Sequence, residues 1–133
     1  MGETGPSPYA VRATSGSLRD GDGVTFPHAW TDEGVLAGPA TNGAQVLHLS
    51  VALCVLNDVY REAQRLGIVV DGVAVTADGG FDEVWTSTGI GYDVVVDTST
   101  PDADLRLLLE VVEEVAEIPR VLRAGATVER RPG

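Results

Sequence analysis

The residue of this chain best suited to covalent chemistry is its single cysteine, Cys54. Cysteine attacks as the thiolate, so a reactive cysteine needs a helix N-terminus or a nearby cation that lowers its pKa. The 133-residue chain has 20 acidic and 9 basic residues, a formal net charge of −11, and it contains no lysine. Any thiolate at Cys54 must therefore be stabilised by an arginine. The alternative is that Cys54 is a packing residue, because free cysteine is among the most buried residue types.

The same composition excludes several classes of function. A chain this acidic repels nucleic acids and anionic membrane surfaces, so we expect neither as a partner. One cysteine cannot form an internal disulfide or a CxxC site. No other group of residues has the spacing of a metal site or a nucleotide-binding loop, so we expect no metal and no cofactor. The first residues lack a secretory signal, which predicts a cytoplasmic protein.

A long helix must position Cys54. Asn42 is a suitable N-cap with Gln45 as its capping-box partner, and Gly67 is a suitable C-terminal stop. This predicts a helix over residues 43–66, with Cys54 about three turns from its start and beyond the helix dipole. Asp58, one turn further on, would raise the cysteine pKa if it faced the thiol. The apolar half, Val46–Leu56, predicts a position at the centre of the fold or in a subunit contact.

The rest of the chain predicts strands and a second helix. The segments typical of strands are 9–14, 24–29, 68–77, 81–87, 89–97 and 126–130. Asp20-Gly21-Asp22-Gly23 predicts a hairpin turn between the first two, residues 30–40 a loop, and Asp78-Gly79-Gly80 a turn in a three-stranded meander. Thr100-Pro101-Asp102 predicts the start of a second helix, with Thr100 as its cap and Pro101 at its first position, and Pro119 should break or kink that helix. The fold class is α+β, with helices packed on a mainly antiparallel sheet; residues 1–8 are expected to be flexible and residues 9–131 to form one domain.

Two stretches resemble a known family. They are residues 9–21, with Arg19 before Asp20-Gly21, and residues 41–54, with Cys54 twelve residues after Asn42. Both are similar to osmotically inducible protein C (OsmC) and the organic hydroperoxide resistance protein (Ohr). The resemblance implies an intertwined homodimer in which Cys54 reduces organic hydroperoxides and Arg19 activates the thiol. It also implies a role in oxidative stress defence.

The chain departs from the family pattern at two positions. Ala44 stands where the family has an activating glutamate, and Ile118 stands where it has a resolving cysteine before proline. Two hypotheses follow. Cys54 and Arg19 could act as a one-cysteine hydroperoxide reductase that relies on an external thiol, or the chain could be a non-catalytic dimer that binds a small apolar ligand or a partner.

The remaining polar residues have structural interpretations. His48 lies about 240° around the helix from Cys54 and has no partner at i+4, so we expect a packed or interface histidine. We expect the same for His28. The acidic run from Glu110 to Glu117 is typical of a solvated helix face.

Overall fold

The computed structural model describes residues 5–133 of the chain. Five strands and three helices follow one another in the order β1 Val11–Gly16, β2 Val24–Phe26, β3 Val35–Gly38, α1 Gly43–Leu66, β4 Gly72–Phe81, β5 Ser87–Asp97, α2 Asp102–Val115 and α3 Glu117–Ala124. All strand pairs are antiparallel, which confirms the α+β class. Of the flexible segment predicted for residues 1–8, residues 1–4 lie outside the described part, and Ser7 donates hydrogen bonds to the carboxylate of Asp78.

The sheet has the strand order β2-β3-β1-β4-β5. The predicted hairpin between β1 and β2 is therefore wrong, because β1 pairs with β3 and β4. The predicted loop over 30–40 is also wrong in part, since it contains β3. This strand has only four residues between Gly34 and Pro39, too few for a clear alternating pattern.

Helix α1 packs across one face of this sheet and forms the core with it. Its predicted bounds are confirmed: the Asn42 side chain accepts a hydrogen bond from the Gln45 amide, and Gly67 is left-handed with φ 73°. The Gln45 side chain accepts from the amide and hydroxyl of Thr41 rather than from Asn42. The apolar half is not covered on every side, because Val46 is 51% exposed.

Strands β4 and β5 form one long hairpin, so the predicted three-stranded meander is wrong. Gly79 lies within β4, where a side chain would come 2.9 Å from Nε2 of the buried His48 and would also meet the Gly89 carbonyl oxygen. Glycine is needed there for close packing, not for a turn. The turn instead follows Phe81, where Asp82 Oδ1 accepts hydrogen bonds from the amides of Val84 and Thr86.

Two helices close the described chain. Pro101, not Thr100, is the N-cap of α2, and its carbonyl accepts the first helical hydrogen bonds. The helix breaks at Ala116, between α2 and α3. Pro119 lies in the first turn of α3, where proline is tolerated. The predicted strand over 126–130 is wrong, since these residues are exposed and pair with no strand.

Helix α1 is also long and apolar enough to cross a membrane, by length and composition. However, 56% of its apolar window is buried inside the protein, as in the core helix of a globular domain.

Candidate functional site

Cys54 lies on α1 where that helix meets the start of α3. Its side chain is partly buried, and two polar groups contact its sulfur. The backbone amide of Ile118 donates a hydrogen bond to Sγ at 3.5 Å, and Sγ lies 3.9 Å from Asp58 Oδ2. Asp58 therefore faces the thiol, which is the arrangement in which its carboxylate raises the cysteine pKa.

Two carboxylates and one guanidinium surround this thiol. Asp58 is almost fully buried and pairs with Arg61 at 3.2 Å. Arg61 also pairs with Glu117 of α3, at 3.1 Å. Ligand atoms of Cys54, Asp58 and Glu117 all lie within 4.8 Å of one another. The single cation of this cluster, Arg61, thus bonds the two carboxylates rather than the sulfur.

This environment favours the neutral thiol. Burial raises the pKa of Cys54, the carboxylates of Asp58 and Glu117 raise it further, and the Ile118 amide lowers it only in part. Burial and a hydrogen bond with Glu117 raise the pKa of Asp58 to about 6. The bonds to Arg61 and Asp58 lower the pKa of Glu117. The two carboxylates therefore differ in proton affinity, and both oppose a negative charge on the sulfur.

An apolar groove opens beside the thiol, with a volume of about 340 Å³. It runs between α1, β5 and α3, and its walls are Leu47, Val51, Ser87, Gly89, Ile90, Tyr92, Pro119, Leu122 and Arg123. Val51 lies one turn before Cys54 on α1, and Pro119 directly follows Ile118. Cys54 is not itself a wall of the groove, which borders residues that adjoin it in α1 and α3.

Comparison with known proteins places this chain in a family. The family model described as OsmC-like protein matches residues 36–131. The chain belongs to the OsmC-like family. Among solved structures, it is similar to an OsmC-like hydroperoxide resistance protein from Jannaschia sp. CCS1, with 14% identity, a TM-score of 0.56, and coverage of 93% of this chain and 92% of that chain. At that identity the likeness shows the fold alone. No curated protein sequence matches the chain significantly.

In this OsmC-like chain, Arg19 and Cys54 are the two residues expected to cooperate. Arg19 follows β1 in an exposed turn, where its Nη2 donates to Thr25 Oγ1 at 3.1 Å. Within the described residues, no hydrogen bond joins Arg19 to Cys54. Ala44, which stands at the position of the family's glutamate, lies in the first turn of α1 and offers no carboxylate.

Position 118 lies against Cys54. The Ile118 amide is 3.5 Å from Sγ, so the site of the family's resolving cysteine adjoins the thiol even though it holds isoleucine here. Position 118 therefore contacts Cys54 but supplies no second sulfur.

Sequence reasoning missed Arg61 and Glu117 as neighbours of the thiol. A signal for Arg61 was present, because Cys54, Asp58 and Arg61 are spaced i, i+4, i+7 on one face of α1. The sequence predicts Glu117 on a solvated helix face. In the structure its side chain is 56% exposed but also pairs with Arg61. Only the packing of α3 on α1 brings it to the site.

The three possible ligands of this cluster could also hold a cation. Arg61 already pairs with both carboxylates and neutralises part of their charge, as a bound cation would.

Proposed function

We propose that this OsmC-like protein binds small apolar molecules in the groove beside Cys54 and keeps Cys54 as an unreactive thiol. The observation that carries the proposal is the pairing of the thiol with two carboxylates, Asp58 and Glu117, instead of a cation. A thiol with a raised pKa is a weak nucleophile at neutral pH, because little of it is thiolate. The groove remains, with walls that are mostly apolar.

The binding half of this proposal is tested with two neighbouring residues of α3. Leu122 lines the groove, whereas Val121 does not and is 47% exposed. We expect Nile red, a neutral apolar dye, to gain fluorescence with the wild type and with Val121→Asp, and to lose that gain with Leu122→Asp. Equal dye binding by both variants would place the ligand elsewhere.

The thiol half is tested by alkylation. The rate at which iodoacetamide modifies Cys54 should be low near neutral pH and should still be rising above about pH 8.5, the ordinary pKa of a cysteine thiol. A rate already at its plateau near neutral pH would mean a stabilised thiolate and would refute this half of the proposal.

A second candidate is the one-cysteine hydroperoxide reductase, favoured by the amide of Ile118. This donor lies 3.5 Å from Sγ and lowers the pKa of the thiol. In such a reaction the thiolate attacks the terminal peroxide oxygen, the O–O bond breaks, and protonation releases an alcohol and leaves a sulfenic acid. Two external thiols then reduce the sulfenic acid to the cysteine, forming a disulfide and water.

This second candidate has a direct readout. Cumene hydroperoxide should add one oxygen to the wild type at Cys54 and none to Cys54→Ser, as measured by mass spectrometry. An unmodified wild-type thiol under excess peroxide would exclude the reductase and leave the groove proposal unaffected.

We also propose that the chain forms a homodimer. Strand β5 is an eleven-residue sheet edge, and its inward-facing Ile90, Tyr92 and Val94 are only half-buried while Val95 is 60% exposed. Long edges with apolar side chains are normally covered by another chain. Light scattering during size-exclusion chromatography should give twice the 13.9 kDa chain mass. A monomer mass at all concentrations would refute the dimer.

A further inference from the structure

A second cavity lies at the start of α1 and the tip of the β4–β5 hairpin, and it shares the wall residue Leu47 with the groove beside Cys54. Three of its walls are aromatic: Tyr9, Phe81 and Trp85. We call these three residues the aromatic box. The other walls are Asn42, Gly43, Ala44 and Leu47, and the cavity volume is about 540 Å³. Neither the groove beside Cys54 nor the proposed function accounts for these three rings.

The rings are arranged as walls rather than as a stack. Tyr9 and Phe81 are 5.4 Å apart between centroids with planes at 86°, and Phe81 and Trp85 are 5.9 Å apart at 50°. His48 supports two of the rings from the core side. Its Nδ1 hydrogen-bonds to the Tyr9 carbonyl at 2.8 Å, and its ring stacks on Phe81.

Trp85 is presented at the surface by a well-defined turn. It is 71% exposed and has a left-handed backbone, with φ 65°. Its amide donates to the Asp82 carbonyl at 3.0 Å, and the Asp82 carboxylate holds the amides on either side. A large exposed indole in a conformation that non-glycine residues rarely adopt indicates a side chain placed for contact rather than for folding.

The charges around the box favour a positively charged ligand. No arginine or histidine is among the described residues that line it, whereas Asp82 and Glu83 lie in the turn that carries Trp85. The first turn of α1 contributes a partial positive charge of roughly one half, against two full negative charges in the turn and a chain of net charge −11. Neither Asp82 nor Glu83 lines the cavity, so their charges act on it from the adjoining turn.

We propose that the aromatic box binds an organic ammonium cation, of the methylated type represented by choline. Such cations are attracted to the electron-rich faces of aromatic rings, and several rings at steep angles can contact one cation at once. A methylated ammonium group has no strong hydrogen-bond donors to satisfy, which suits walls that offer mostly carbon. The acidic turn adds long-range attraction.

The experiment compares choline with its neutral isostere, 3,3-dimethylbutan-1-ol, by isothermal titration calorimetry on the whole protein. Choline should bind saturably and at least about twofold more tightly than the isostere, as expected of a cation–π contact at an exposed site. Trp85→Leu should weaken choline binding by a similar factor. Trp30→Leu, which changes the only other tryptophan and lies outside the box, should leave it unchanged.

Several results would overturn the proposal. Equal affinity for the isostere would mean an apolar pocket, and tighter binding of benzoate would mean an anion site at the helix N-terminus. Unchanged choline affinity in Trp85→Leu would place the cation elsewhere, and the absence of saturable binding would exclude the site. Because Trp85 is exposed, its variant should fold, and circular dichroism checks this. Tyr9→Phe, which keeps all three rings, should retain binding.

Discussion

The contact between Cys54 and position 118 can be turned into a covalent bond. The Ile118 amide nitrogen lies 3.5 Å from Sγ, and the β-carbon of residue 118 is two bonds from that nitrogen. A sulfur on that carbon falls within reach of a disulfide of ordinary geometry. We therefore expect Ile118→Cys to form an intramolecular disulfide with Cys54.

The expected stabilisation follows from the length of the closed loop. The two positions are 64 residues apart, so the crosslink lowers the entropy of the unfolded chain by an amount worth about 4 kcal/mol at room temperature. For a domain of this size, that corresponds to a rise in Tm on the order of 10 °C.

The assay follows thiols and stability together. After mild oxidation, the variant should lose both free thiols and two hydrogens in mass, and its Tm should exceed that of the same sample after reduction. The double variant Ile118→Cys with Cys54→Ser is the control and should show no such difference. Two free thiols in a folded, exhaustively oxidised variant would refute the placement of α3 against Cys54.

Three further predictions concern the surroundings of the thiol and the packing of His48. The pKa of Asp58, raised to about 6, lies above its unfolded value, so its contribution to stability is present below about pH 4 and is lost as the pH rises through about 6. The free energy of unfolding of Asp58→Asn, measured in urea, should therefore rise relative to that of the wild type by on the order of 2–3 kcal/mol between about pH 4 and pH 8. The exposed Asp93→Asn is the control and should show no such rise. Parallel pH profiles for Asp58→Asn and the wild type would contradict this. Glu117→Gln removes a negative charge beside Cys54 and leaves Arg61 with one carboxylate fewer, so iodoacetamide should modify the thiol several-fold faster near neutral pH. An unchanged rate would mean that Glu117 does not act on the thiol. Gly79→Ala should destabilise the fold by about 2 kcal/mol or more because its methyl group meets His48, whereas Gly91→Ala, with open space around it, should have little effect; similar unfolding midpoints for the two would contradict the close packing.

The sequence predicted those parts of the fold that depend on local signals. Asn42 and Gly67 marked the ends of α1 because a cap and a left-handed stop are chemical properties of single residues. The order of the strands could not be obtained this way, since β1 pairs with strands that precede and follow α1. Gly79 shows the same limit: its absence of a side chain serves contact with His48, which no local pattern reveals.

The site divides in the same manner. The i+4 spacing on α1 allows a contact between Asp58 and Cys54, and the structure shows that the contact is made. Glu117 reaches the thiol only through the docking of α3, and the exposed position of Arg19 beside Thr25 depends on how the turn after β1 folds. Position 118 is singled out by the resemblance to a family, because helical periodicity alone does not relate it to Cys54.

The bond between Arg61 and Glu117 has a consequence for how this protein can change. The same ion pair fastens α3 to α1 and keeps a negative charge beside the sulfur. A substitution that removes Glu117 would make the Cys54 thiol more reactive. It would also weaken the contact that holds α3, one wall of the groove, against α1. At position 117, a more reactive thiol would therefore come with a weaker attachment of α3 to α1.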